Sequence, residues 1–177
     1  MKLHRAIFYL VLPFLVLSSK SFAQELNQKL ASVYVYNFTK YIEWPQNRKS
    51  GDFVIGIYGN SSTFDEFKKI ISTKKVGKQP IALKKTSSVG DLDQFNLIYI
   101  PLSESKNIKL ISDALNGKPV LIVSEKPGAA KKGASINLFL DEDDDFKTKF
   151  EMNKKTMEKN GLIISNQLLQ LAEKVNE

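Results

Sequence analysis

Ser72-Thr73-Lys74-Lys75 and Ser103-Glu104-Ser105-Lys106 each set a serine ahead of a lysine at the S-x-x-K spacing, where an amine can draw the proton from a nucleophilic hydroxyl. That chemistry needs companion motifs, and they are missing: Ser112-Asp113 runs on to Ala114, and Lys85-Thr86 to Ser87. Gly128-Ala129-Ala130-Lys131-Lys132-Gly133 has the glycine spacing of a phosphate loop. Such a loop requires a lysine and a hydroxyl directly after its second glycine, and Ala134 and Ser135 stand there instead. Asp141-Glu142-Asp143-Asp144-Asp145 opens like a calcium loop, with carboxylates at alternate positions. Phe146 and Met152 occupy the places of its glycine and closing glutamate. The two S-x-x-K stretches therefore read as chance matches, the glycine stretch as a flexible basic turn, and the acidic stretch as a solvated hairpin turn with at most weak, incidental cation binding.

The chain has no cysteine, and its only histidine is His4. His4 lies in a segment with the pattern of a secretory signal: Lys2, His4 and Arg5 form a positive start, Ala6 to Leu17 an apolar run, and Ser21-Phe22-Ala23 a cleavage site. The run is shorter than the ~20 apolar residues a spanning helix needs, and it contains Pro13. We expect residues 1–23 to be a cleaved signal peptide and residues 24–177 a single α/β domain, exported and without stable membrane insertion. With His4 gone, nucleophiles activated by imidazole and metal sites built from imidazole or thiolate are excluded together. No catalytic residue, metal or cofactor is expected. Removing Lys2, Arg5 and Lys20 lowers the formal net charge of +7 by three, and the remaining excess is scattered in lysine pairs. This reads as solvated surface and not as a nucleic-acid footprint.

The elements that must position any site follow from periodicity. Leu26, Leu30, Val33, Asn37, Tyr41 and Trp44 recur at helical spacing, with Tyr34, Phe38 and Ile42 in a neighbouring stripe, and Pro45 supplies the stop. Asp52 to Gly59, Pro80 to Leu83, Asn96 to Ile100 and Lys118 to Val123 read as strands. Between them, Phe64 to Ile71 and a segment capped by Ser103 or Ser105 and carrying Ile108 and Ile111 read as helices. Ser135 to Leu140 and Phe146 to Met152 read as two further strands, forming an antiparallel hairpin around the acidic turn. A short helix stopped by Gly161 follows, then a terminal helix with Ile164, Leu168, Leu171 and Val175 on its face. The fold class expected is α/β, three-layered: a mostly parallel central sheet with helices on both faces, a C-terminal antiparallel hairpin and a terminal helix.

In open sheets of this kind ligands sit beyond the carboxyl ends of the strands. Asn60, Ser61, Ser62, Ser103, Ser105 and Ser124 fall there. They are a candidate small-ligand site, or ordinary helix caps.

The stretches "KLASVYVYNFTKYIEWP", "GASINLFLDEDDDFKTKFEMN" and "NGLIISNQLLQLAEKV", with "FVIGIYG", "NLIYIP" and "PVLIVSE" between them, resemble the YfiR/HmsC family of periplasmic proteins. The resemblance implies a regulator and not an enzyme. Better-understood members bind the periplasmic part of an inner-membrane diguanylate cyclase, hold it inactive, and are associated with dimers. The motif positions are Phe38, Glu43, Trp44 and Pro45 at the front, and Phe150, Glu151, Asn153, Gly161, Leu162, Ile164 and Ser165 at the back. Phe38, Trp44, Pro45 and Gly161 are taken as structural anchors. Glu151, Asn153, Ile163 and Ser165 are taken as the contact with a membrane signalling protein, a cyclase or a sensor kinase. Glu151→Lys is expected to leave the fold intact and release that partner. The wide apolar arc of the first helix leaves part of it for a second copy in a homodimer. The absence of cysteine removes any redox-controlled release.

Overall fold

The computed structural model describes residues 28–59 and 62–176. The expected signal peptide, residues 1–23, and Asn60 and Ser61 lie outside the described residues. Helix α1 covers 28–41 and leads into the two-residue strand β1, Ile42–Glu43. Strand β2 (Phe53–Tyr58), helix α2 (Thr63–Ile71), and strands β3 (Lys75–Val76) and β4 (Gln79–Thr86) follow. Then come β5 (Leu97–Ile100), α3 (Ile108–Ala114), β6 (Leu121–Ser124), β7 (Ile136–Asp141) and β8 (Lys147–Asn153). The chain closes with α4 (Lys154–Lys159), β9 (Ile163–Ile164), α5 (Asn166–Leu171) and β10 (Lys174–Asn176).

The main sheet has eight strands in the order β10-β8-β7-β6-β5-β2-β4-β3. The five strands from β7 to β4 are parallel to one another. Of these, β2, β5 and β6 read as near-continuous apolar runs because both their faces are covered. In β5, Leu97 and Tyr99 face one side with Ile55, Ile57, Leu121 and Val123, under α1, α2, α4 and α5. Ile98 and Ile100 face the other side with Tyr58 and Ile122, under α3 and the short turns around Leu92 and Ala129. The expected three-layer α/β architecture with an antiparallel hairpin near its end is the architecture observed. Gly56 allows the second face to close: a Cβ there would lie 2.6 Å from Ile98 and 2.8 Å from Phe95.

Local differences follow from signals that periodicity cannot separate. The core arc of α1 is Ala31, Val35 and Phe38, continued by Ile42, while Leu30 and Val33 of the expected stripe are 41% and 42% exposed. Apolar residues occupy so much of this helix that their spacing does not choose between neighbouring arcs. Trp44 is not at the helix end, because β1 intervenes and pairs with β9. The terminal helix is shorter than expected: α5 stops at Leu171, Ala172 is extended, and Val175 lies in β10, beside Met152 of β8. Val175 follows Leu171 by four residues, so a helical stripe and a return to the sheet look alike there. Ser103 and Ser105 do not cap α3; they lie in a 3-10 helix, Leu102–Asn107, that precedes it.

Candidate functional site

The polar motif residues of β8 form a buried bracket. Beyond β6 the second face of the sheet is covered by the short turn Ala129–Lys132 between Gly128 and Gly133, both left-handed. A turn of this length leaves backbone groups unpaired, and buried groups need partners. Glu151 Oε1 accepts from the Gly128 N–H at 3.0 Å and from Asn137 Nδ2 at 3.2 Å. Ser124 Oγ donates to Asn137 Oδ1 at 2.8 Å. Asn153 Nδ2 donates to the Ala130 carbonyl at 2.7 Å, while its Oδ1 accepts from Thr156 N at 2.9 Å and caps α4. Phe150 and Met152 point to the opposite face and fill the main core. The alternation Phe-Glu-Met-Asn is thus one strand serving an apolar face and a turn at once. Glu151 is 8% exposed. Glu151 is buried and Asn153 half-buried, and both bond to the protein's own turn and helix, whereas a contact surface was expected of them.

The other two expected contact residues lie elsewhere. Ser165 caps α5 by accepting from Leu168 N at 3.2 Å, and its own N–H donates to the Tyr41 carbonyl at 2.9 Å. Ile163, in β9, is 65% exposed and lines a groove of about 480 Å³ with Lys154, Glu158, Gly161 and Leu169. Exposed Leu171 follows on α5. Leu30 and Val33 of α1, Ile163 of β9 and Leu171 of α5 are each exposed to solvent, as are Leu102, Leu110 and Phe146 elsewhere.

The front motif is an anchor. Trp44 is buried, its Nε1 donates to the Asn96 carbonyl at 3.1 Å, and its ring meets Phe53 edge-on at 4.9 Å. Glu43 points outward to Lys49 at 2.6 Å, at the side of a cavity of about 330 Å³ walled by Ile42, Phe53 and Val76.

At the carboxyl ends of the parallel strands, Ser124 is fully buried and bound to Asn137, while Ser62 and Ser103 are exposed and Ser105 is half-buried. The structure does not bring these hydroxyls to one point. Two groups that spacing gave no hint of meet there instead. Tyr99, fully buried, donates to Glu125 Oε1, and Glu125 Oε2 accepts from Leu102 N at 3.0 Å. Burial, and then the Glu125 charge, hold the phenol well above the usual tyrosine range. Glu125 also lines a cavity of about 210 Å³ with Leu102, Pro127, Leu138 and Glu142. Glu104 folds over Gly59, where a Cβ would fall 2.6 Å from its Cγ.

Two carboxylates of the acidic hairpin, Asp141 and Asp144, are paired with lysines of β8. Lys149 Nζ lies 2.7 Å from Asp141, 3.4 Å from Asp144 and 3.5 Å from Glu173, and Lys147 pairs with Asp144 at 2.6 Å. The hydrogen bond from Lys149 holds Asp141 below the usual carboxylate range, and Lys147 does the same for Asp144. Among the described residues, no cluster of three or more histidine, cysteine or carboxylate side chains can hold a metal ion, and no helix is long and apolar enough to cross a membrane.

These groups set the pH dependence. The depressed carboxylates contribute stability that is present above their unfolded pKa values and lost as pH falls through the folded ones. Tyr99, raised, contributes stability that is lost as pH rises past its unfolded value of 10.0. No histidine or cysteine follows residue 23. The thermal midpoint is expected to be flat between about pH 6 and 9, falling on both sides. Unfolding followed by circular dichroism across pH checks this, and Tyr99→Phe should remove most of the alkaline limb.

The described part of the chain is thus a doubly wound α/β domain in which buried Glu151 and Asn96 serve its own backbone. The chain belongs to the YfiR/HmsC-like family (DUF4154), whose profile matches residues 14–173. The family is periplasmic, and regulatory rather than catalytic. Two solved structures are similar in fold. One is a conserved domain protein from Vibrio cholerae O1 biovar El Tor, at 15% identity and TM-score 0.53. The other is an ABC domain from Streptococcus pneumoniae in complex with L-Trp, at 14% identity and TM-score 0.51. Each comparison covers 70% of this chain and 55% of the other, so the chain matches about half the length of either structure. No curated protein matched the chain.

Proposed function

We propose that this protein is a periplasmic, non-enzymatic regulator that binds an inner-membrane signalling protein, a diguanylate cyclase or a sensor kinase, and holds it inactive. The observation that carries the reading is the pair of exposed apolar residues on adjoining elements, Ile163 of β9 at 65% and Leu171 of α5 at 58%, beside the groove that Ile163 lines. Exposed apolar surface on a small domain marks an interaction site. A regulator without chemistry works by binding two states of its partner unequally. We assign Ile163, Leu171 and the groove beside them to the membrane partner, and Leu30 and Val33 of α1 to a second copy across a twofold axis.

The test is complementation. In cells lacking this chain, wild type is expected to lower cyclic di-GMP, or kinase output. Ile163→Asp at matched protein level is expected to leave the output raised, and Leu110→Asp, on exposed α3 across the sheet, should behave as wild type. Full repression by Ile163→Asp contradicts this surface.

A second reading rests on the strand-end cavity. Leu102, Pro127 and Leu138 surround a space that ends on the carboxylates of Glu125 and Glu142. Such a site suits a small apolar ligand carrying an amine. Its occupancy would then be the signal the partner reads.

A further inference from the structure

Strand β4 is open along most of one edge. On one side it pairs with β2 from Ile81 to Thr86, while on the other β3 reaches only Gln79 and Pro80. Along a strand, alternate residues turn their backbone N–H and C=O toward opposite neighbours. Thr86 turns toward β2, where its carbonyl accepts from the Gly59 N–H at 2.8 Å. Ile81 turns outward, its N–H approaching the Lys74 carbonyl at 3.4 Å. Leu83 and Lys85 continue the outward set, and among the described residues no strand lies beside them. An edge of this kind is a template for another strand.

Charge decides which strand it accepts. The stretch 72–86 holds Lys74, Lys75, Lys78, Lys84 and Lys85 and no acidic residue, and all five lysines are exposed. A second copy laid edge to edge would set lysine against lysine, which is unfavourable across a strand pair. An acidic strand meets the opposite sign at Lys84 and Lys85 and at the lysines of the adjoining turn. The α2 side of the edge also offers an apolar wall: Phe64 and Ile70 are only partly buried, and Lys85 Nζ sits 4.9 Å over the Phe64 ring. Strand addition draws affinity from main-chain bonds and specificity from alternate side chains.

We propose that the open edge of β4 is a docking site for an acidic, extended segment of a partner protein. The segment adds to the sheet as a further strand, bonding to the backbone of Leu83 and Lys85. This site lies at the end of the sheet opposite β8 and β10 and does not depend on the α1, β9 and α5 surface.

The experiment selects linear random peptides on the folded chain and measures amide exchange with the tightest one bound. Enriched peptides are expected to be rich in Asp and Glu, with apolar residues at alternate positions. The bound peptide should slow exchange at the Leu83 and Lys85 amides by about tenfold or more. The double variant Lys84→Glu, Lys85→Glu, altered only at exposed positions, should bind about tenfold more weakly with its circular dichroism unchanged. Acidic peptides that bind without slowing those two amides would overturn strand addition. So would a chain that takes no acidic peptide but binds phosphatidylglycerol vesicles through the same lysines, because the patch would then face a membrane.

Discussion

Trp44→Ala is expected to lower the stability of the folded chain by about 3 to 5 kcal/mol, the usual loss for truncating a buried tryptophan. Domains of this kind have a total of only about 5 to 15 kcal/mol, so the variant should unfold at a much lower denaturant concentration. The reason lies in what the indole joins. Its ring closes the core on Phe53, and its N–H reaches the Asn96 carbonyl, which also accepts from Leu121 N at 3.0 Å. Asn96 in turn accepts from Val54 N at 2.9 Å through its side chain. The tryptophan therefore fixes the entry of β2, β5 and β6 together. Trp44→Phe keeps most of the ring, and the Asn96 carbonyl keeps its other donor, so a loss of about 1 kcal/mol is expected. Urea unfolding of both variants beside Leu110→Ala, which should move stability by less than about 0.5 kcal/mol, checks the ranking.

Glu151→Lys is the second large effect, and its sign of action reverses the sequence-based expectation. An ammonium placed there faces the Gly128 N–H and Asn137 Nδ2, both donors, while Asn137 Oδ1 is already taken by Ser124. A buried charge stripped of its partners typically destabilises by about 3 to 5 kcal/mol. Glu151→Gln keeps an acceptor oxygen and should be far milder. Any loss of regulation by Glu151→Lys therefore reports unfolding and not a lost contact, and thermal unfolding of the purified variant distinguishes the two.

The same strand shows how far the sequence could be read. The run of apolar strands and the antiparallel hairpin around the acidic turn were legible because buried parallel strands need continuous apolar residues and hairpin tips need polar ones. Gly161 as a stop was legible from local chemistry alone, and it indeed takes φ 73°, whereas the cap that Asn153 forms on α4 was not read. The polar residues at 151 and 153 were visible as exceptions, but the turn that uses them lies more than twenty residues away in sequence, so nothing local said whether they faced partner or protein. The Tyr99 to Glu125 contact was hidden for the same reason. In α1 an excess of apolar residues concealed which arc was core, and that excess is also what leaves Leu30 and Val33 at the surface.

The central claim is that the α1, β9 and α5 layer engages a membrane signalling protein. The most direct measurement replaces Ile163 with a photoactivatable amino acid, irradiates living cells, and identifies the adduct by mass spectrometry. The account predicts an adduct with an inner-membrane protein carrying a cytoplasmic cyclase or kinase domain, formed from position 163 and not from position 110 on α3. Equal labelling from both positions, or labelling from 110 alone, would contradict it.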